Sequence, residues 1–499
     1  MVSKKIGILF FISVILAFFS GYFVERVLPS SPTSNNDDMF TYIIESFNNY
    51  YYYDIDSAEV HEAFIANMEA TIQKIGELND DPYTRLLAVP LESGDTDEER
   101  FTGIGISFYF EDDLTLRVTD VYRDGGAYLH IYPNDVIVGV VEDTVSTYFN
   151  TLKYDHEVLD LITGNLGDEK TFIVLNPDGD EEEVTITYQE ISTPTVSSVD
   201  LGESDIAYIK IRRFSGASES TVGTASVFQT TLNTLEQTIL TDETKTLIID
   251  LRNNPGGALS ALHNQGYQSL LPGITQQLLI RNLEKPLFTM IPRTNEVQSF
   301  YGGLSQAKPY DIKVLINEHS ASASEVLAAA LKTIGGYELY GRPSYGKGVY
   351  QNQVALGVIN NVRYYLVYTE GEWYYGDQLN VSDNPLDVNL INPTGIKNIN
   401  MPLYAGEMSF DHVYASLANY QAFLNIYYGL TDEAKLREDG YFDQKTKDIV
   451  AQFNVEHELS GDAITIDTAH QIYIRYIEMM NNITYDDELQ TLISEIKSS

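Results

Sequence analysis

HSASASEVLAAALKTIGGYELYGRPSYGKGVYQ, residues His319–Gln351, decides how this chain is read. Glu325 through Leu331 are strong helix formers, and Gly335-Gly336 supplies a stop. Tyr337–Tyr340 then reads as a short strand. Ser322 stands at the mouth of that helix, and Ser322-x-x-Glu325 before an apolar run is a capping-box pattern. The helix, a return loop and the strand bring its far end back, so Lys347 and Gln351 are expected beside Ser322. A serine that meets a lysine in a protected site can act as a nucleophile with a general base.

Two plainer readings compete. The serine can be a helix cap only, and the lysine a solvated charge. Gly341-Arg-Pro-Ser-Tyr-Gly346-Lys347 also imitates a phosphate loop, but Gly348 replaces the hydroxyl that would hold magnesium. Val349-Tyr350 then continue as strand where a phosphate loop would open a helix. A nucleotide site is therefore not expected.

Ser320-Ala-Ser-Ala-Ser-Glu325, followed by Gly346-Lys347-Gly348 and then Gln351, resembles the C-terminal processing (tail-specific) serine peptidases. The resemblance implies Ser322 as nucleophile, Lys347 as general base and Gln351 as the residue orienting the lysine. A second segment, Thr246–Gly257 (TLIIDLRNNPGG), reads as a buried strand entering a tight turn. In similar peptidases a backbone amide of such a turn joins the amide after the nucleophile in an oxyanion hole. Here those are Gly256 or Gly257, with the choice open, and Ala323, whose N–H lies at a helix N-terminus. Two departures stand out. Thr333 occupies a position that is acidic in some relatives, and Glu370-Gly371-Glu372-Trp373 replaces a Pro-Ser-Gly turn.

Composition narrows the partners. The 499 residues exceed one core, and 72 acidic against 31 basic residues give a formal net charge of −41. Such a surface disfavours nucleic acid, which requires a basic patch. With no cysteine there are no disulfides or thiolate metal sites, and eight histidines show no metal-ligand spacing. Neither metal nor cofactor is expected. His319 is expected in a loop, with no acid to orient it toward Ser322.

Lys4-Lys5 precede an apolar run, Ile6–Val24, that makes about 28 Å of helix, close to a bilayer core. An uncleaved single-pass anchor with the bulk of the chain outside the cell membrane is expected; the alternative is secretion after signal cleavage. The expected fold class is α/β and multidomain. Residues 1–28 are the anchor and 29–95 a linker with a helical leader, ending in Leu78-Asn-Asp-Asp-Pro-Tyr-Thr84. Residues 96–191 resemble a PDZ domain, whose Gly103-Ile104-Gly105-Ile106 would capture a peptide's free C-terminus. Asn134 stands there where glycine is usual. Residues 192–401 form the α/β Ser/Lys core, with a helix expected over Ala261–Leu271. Residues 402–485 resemble a peptidoglycan-binding domain, or else are a helical bundle that stabilises the peptidase or dimerises it. Residues 486–499 are left as a tail.

The expected function is membrane-anchored extracytoplasmic cleavage of proteins through an acyl-enzyme, with substrates recognised by their C-termini. The alternative is a non-catalytic anchored scaffold that binds peptide tails and wall polymer. That alternative would call for loss of Ser322, Lys347 or Gln351, and all three are present.

Overall fold

The computed structural model describes residues 57–90, 100–217, 223–265, 271–359 and 362–498. The apolar run expected to anchor the chain lies outside them. Among the described residues, no helix is long and apolar enough to cross a membrane.

Helix α1 (Ser57–Leu78) ends in a tight turn in which Asn79 and Asp81 both donate backbone hydrogen bonds to the Gly76 carbonyl, at 3.0 and 2.9 Å. Strand β1 (Arg85–Pro90) follows and pairs antiparallel with residues Val362–Val367. That pairing carries the leader turn onto the sheet centred on residues 362–374.

The next unit holds β2 (Arg100–Gly103), β3 (Ile106–Phe110), β4 (Leu116–Val121), β5 (Val136–Glu142), β6 (Val145–Tyr148), helix α2 (Asp155–Ile162), β7 (Glu169–Leu175), β8 (Glu181–Thr187) and β9 (Gln189–Ser192). Its sheet runs β3-β4-β5-β7-β8, so β3 is an edge strand. Alternation at period two buries Leu116 and Val118 of β4 against Phe149, Phe172 and Val158. Asn134 has φ +81°, the left-handed conformation that asparagine tolerates better than most residues.

The core contains β10 (Val196–Ser198), β11 (Ile206–Ile211), α3 (Gly223–Thr238), β12 (Thr246–Asp250), α4 (Leu259–Leu262), α5 (Ile274–Leu278), β13 (Phe288–Pro292), β14 (Gln298–Phe300), β15 (Asp311–Ile316), α6 (Ala323–Thr333), β16 (Glu338–Gly341), β17 (Val349–Ile359), β18 (Val362–Tyr374) and β19 (Asn389–Leu390). A six-stranded sheet runs β10-β11-β12-β15-β16-β19, parallel from β11 onward. A second sheet centres on β18, flanked by β1, β13 and β17. Of the helix expected over Ala261–Leu271, residues 266–270 lie outside the described residues, and the helix that is described is α4. It ends at His263, whose ring accepts from the Gln265 N–H (3.0 Å) and bonds the Tyr301 carbonyl (2.7 Å).

A parallel sheet must be covered on both faces. One face packs Ile249, Val314 and Leu339 against α6 and its neighbours. The other packs Ile248, Leu315 and Tyr340 against Leu489, Leu492 and Ile493. Those three belong to the last of four C-terminal helices, α7 (Leu417–Tyr427), α8 (Gln444–Glu456), α9 (Ile466–Asn481) and α10 (Asp487–Ser498). The expected tail is thus corrected: it is the helix that closes the core sheet. Its start is tied down by Arg252, which donates to Asp486 (2.8 and 2.7 Å), Glu488 (2.8 Å) and Asp250 (3.0 and 2.7 Å), all buried.

Helices α7 to α9 close around Tyr420, Phe423, Phe442 and Phe453. The bundle also meets the β3–β8 unit. The His470 ring stacks on Tyr132 at 3.5 Å, and the Asn134 side chain donates to the Tyr404 carbonyl at 2.6 Å.

Candidate active site

Two turns at the C-terminal ends of neighbouring parallel strands build the site. After β12 comes Leu251–Gly257, and after β15 comes Asn317–Ser322. Asn253 and Asn317 bond each other reciprocally, backbone N–H and side-chain amide each donating at 2.9 Å. Ser320 donates its hydroxyl to the Leu251 carbonyl (2.8 Å) and Ser324 to the Asn254 carbonyl (2.8 Å). Both are fully buried. Two of the three alternating serines are therefore spent on holding the turns together.

Ser322 differs. It takes φ +55° and ψ −116°, a sparsely populated conformation for a side chain with a Cβ, at a sharp strand-to-helix turn. Such an elbow lifts a serine hydroxyl clear of the backbone at a strand-to-helix junction. The capping expected of it is half made. The Glu325 carboxylate accepts from the Ser322 N–H at 2.8 Å, while the Ser322 side chain makes no capping hydrogen bond.

Fully buried Glu325 also reaches the lysine segment. Its Oε2 accepts from the Lys347 N–H (2.9 Å) and its Oε1 from the Gly346 N–H (2.6 Å). One carboxylate thus joins the backbone of Ser322 to that of Lys347. Gly348 is sterically required, since a Cβ there would lie 1.9 Å from Asn380 Oδ1.

Lys347 Nζ donates to Gln351 Oε1 at 2.5 Å and lies 4.2 Å from the centre of the Tyr83 ring. Burial, helped by the nearby Arg85 charge, pushes its pKa down to about 8, against the opposing pull of Glu325 and Asp81. Nζ and Ser322 Oγ are not hydrogen-bonded to each other in this conformation.

The two candidate glycines have different surroundings. The Gly256 N–H already donates to Asn254 Oδ1 at 2.9 Å. A Cβ at Gly256 would lie 2.9 Å from Ser322 Cβ and 3.0 Å from the Ala323 nitrogen. Gly257 bridges Phe214, whose N–H donates to Gly256 O and whose carbonyl accepts from Ala258. Ala323 opens α6, so its N–H has no acceptor within the helix.

Residues 205–385, which hold this constellation, match the sequence model of Peptidase family S41. The segment that carries the candidate site is thus similar to the S41 serine peptidases. The chain is 25% identical over 464 residues to the carboxy-terminal processing protease CtpB of Bacillus subtilis, covering 91% of this chain and 87% of that protein. It is 28% identical over 347 residues to a probable CtpA-like serine protease of Staphylococcus aureus, where the match covers 67% of this chain and 60% of the relative's length. Among solved structures, a photosystem II D1 C-terminal processing protease aligns over 69% of this chain and 88% of its own, at 22% identity and TM-score 0.37. The PDZ domain of a Vibrio cholerae carboxy-terminal protease aligns over 18% of this chain and 97% of its own, at 27% identity and TM-score 0.17.

Other expected residues fall as follows. His319 is exposed beside Glu318 (4.0 Å). Thr333 bonds back to the Ala329 carbonyl (2.7 Å) at the end of α6 remote from Ser322. The Gly103–Ile106 loop lies in the separate β3–β8 unit. Its Ile104 carbonyl accepts from Ala127 (2.9 Å) and its Gly105 carbonyl from Tyr122 (2.8 Å). Gly105 takes φ +84° with its Cα face against Gly125.

Sequence reasoning missed three contributors. Glu325 was read as half of a cap, though a carboxylate amid apolar helix formers was a signal for a buried clip. Trp373, in the segment that departs from the usual turn, donates its Nε1–H to the Lys347 carbonyl at 2.8 Å. Tyr83, in the leader, covers the lysine.

Proposed function

We propose that the chain is an anchored, extracytoplasmic endopeptidase in which Ser322 attacks the scissile carbonyl and Lys347 accepts its proton. The observation carrying this reading is the Glu325 clip, which ties an uncommitted serine hydroxyl and a desolvated lysine to one carboxylate. At pH 7.4 a lysine of pKa about 8 is neutral in about one molecule in five, against about one in a thousand for an unperturbed lysine. Gln351 orients the amine through a neutral carbonyl, which adds no charge that would hold it protonated.

Proton and bond changes balance within these groups. Oγ forms a bond to the carbonyl carbon as its proton passes to Nζ, and the oxyanion meets the N–H groups of Ala323 and Gly257. Lysine then returns the proton to the departing amine as the peptide bond breaks, leaving an acyl-serine. Water, deprotonated by the same lysine, releases the new C-terminus. Gly256 serves by having no side chain beside Ser322.

The β3–β8 unit is read as a PDZ domain. Edge strand β3 offers its open side to an extended peptide, and the Gly103–Ile106 loop leads into that strand. The anchor rests on the Ile6–Val24 run alone.

Purified chain with an unfolded protein substrate is the direct test. Wild type cleaves with an acid limb near pH 8, whereas Ser322→Ala and Lys347→Arg fold by circular dichroism and do not cleave. Amidating the substrate's C-terminus slows wild type severalfold. A folded Lys347→Arg enzyme with near wild-type rate overturns the Ser/Lys reading, and equal rates on acid and amide substrates overturn the PDZ role.

A further inference from the structure

The leader turn lies close to the lysine, and its contacts have a direction. The pairing of β1 with β18 sets Arg85 opposite Val367, which places Asp81–Thr84 against Thr369. Thr369 donates its backbone N–H to Thr84 Oγ1 at 3.2 Å. Asp81 then accepts three hydrogen bonds, from the Tyr83 N–H (2.9 Å), the Thr84 hydroxyl (2.6 Å) and the Thr369 hydroxyl (3.0 Å). Gln351 Nε2 donates to the Thr369 oxygen at 3.4 Å, and Gln351 Oε1 accepts from Lys347 Nζ at 2.5 Å.

Such a chain has only one consistent polarity. An ionised carboxylate can only accept. The Thr369 hydroxyl spends its one proton on Asp81 and can offer Gln351 only a lone pair. The amide must therefore turn its NH2 toward Thr369 and its carbonyl toward Lys347. Burial opposes ionisation of Asp81, but the hydrogen bonds from Thr84, Tyr83 and Thr369 hold its carboxyl below the usual range. It is an acceptor at any pH where a lysine base works.

We propose that Asp81 is a positioning residue for the Lys347 base, setting through Thr369 which end of the Gln351 amide faces the amine, so that the leader turn is part of the active site. The proposal rests on the Ser/Lys reading. If the amide reversed, its NH2 would donate to the neutral amine's lone pair. That lone pair is the one that must accept the serine proton. The reversed state would thus favour the neutral amine while disabling it as a base. Tyr83, whose ring covers Nζ, belongs to the same turn.

Thr369→Val tests the chain without removing the Asp81 charge. The groups facing Lys347 are Asp81 and Tyr83 from the leader turn, Arg85 from β1 and Glu325 from α6, with Tyr345 against Tyr83. All are retained in this variant. kcat and KM of the full chain are measured against pH for wild type, Thr369→Val and Thr369→Ser. The expected result for Thr369→Val is a kcat lower by about tenfold or more, KM within about twofold, and an acid limb displaced to lower pH. A better-populated base that works worse is the signature of a reversed amide. Thr369→Ser, which keeps the hydroxyl, recovers the limb and most of the rate. An unchanged kcat overturns the proposal. So does a rate loss with the limb unmoved, or one shared equally by Thr369→Ser, since either marks a packing role only. If Thr369→Val does not fold, Asp81→Asn takes its place, and an undiminished kcat there overturns the proposal. Failure of the underlying reading looks different: wild type lacks the acid limb, or Lys347→Arg is active.

Discussion

The two faces of the parallel core sheet are closed by different means. On one, helix α6 follows β15 directly and brings Ser322 at its start; its contacts with Ile249, Val314 and Leu339 are apolar. On the other, α10 arrives from the end of the chain, with Leu489, Leu492 and Ile493 against Ile248, Leu315 and Tyr340. That second face adds a buried ionic lock. Burial works against ionising Asp250, but Arg252 and Lys210 hold its carboxyl well below the usual range. Arg342 extends the lock by pairing with both Glu318 (2.7 Å) and Glu488 (2.5 Å). The candidate site thus lies on the locally connected face, and the buried ionic lock on the remote one.

Deleting residues 483–499 breaks the comparison outright. Leu489, Leu492 and Ile493 each contribute about 2 kcal/mol by burial. Removing two acidic partners from buried Arg252 costs about 3–5 kcal/mol more. Together these approach the whole stability of a domain, about 5–15 kcal/mol. The truncated chain is expected to show no cooperative thermal transition and no cleavage. A folded, active truncation would return α10 to the status of a tail.

Arg252→Leu separates the lock from the apolar cover. It leaves Asp250, Asp486 and Glu488 buried without their shared cation, a loss of about 3–5 kcal/mol at neutral pH. The pH dependence should also reverse. In wild type, Asp250 has a lowered folded pKa. Its contribution is present above the ordinary carboxylate pKa and is lost as pH falls through the folded value. In the variant, burial of Asp250 without Arg252 raises its carboxyl pKa, so stability is regained as pH falls from 7 toward 5. Thermal melts across that range decide it, and a variant that weakens further on acidification would contradict the lock.

Leu492→Ala is the mildest change. A large-to-small substitution at this fully buried position costs about 2–4 kcal/mol. Because the far face holds no group of the candidate site, kcat of the folded variant should stay within about twofold of wild type. A large fall in kcat with folding intact would mean that the two faces are coupled.

How much could be read without the structure varies with distance along the chain. The Ser322, Lys347 and Gln351 candidates were legible because one continuous stretch carries the whole motif that resembles a known peptidase family; helix and strand periods alone left the serine as a cap. The choice between Gly256 and Gly257 was not legible, because it depends on which amide Asn254 occupies. The leader motif at Leu78–Thr84 was visible as a motif. Its meeting with Thr369 follows only from the pairing of β1 with β18. The helix expected from Ala261 stops at Leu262, and His263 takes extended backbone, a stop no periodicity marks.

The amino-acid sequence by itself determined the local elements and the chemistry they can bear: a buried strand into a glycine turn, a serine at a helix mouth, and a lysine between glycines with a neutral amide four residues on. Only the tertiary structure decided which serine is uncommitted, which carboxylate clips it to the lysine, and which distant segments complete the core. The physical reason is that propensity and pattern act over a few residues. The desolvation that lowers the lysine's pKa, the direction of a hydrogen-bond chain and the cover a parallel sheet requires are all set by groups brought together from remote parts of the chain.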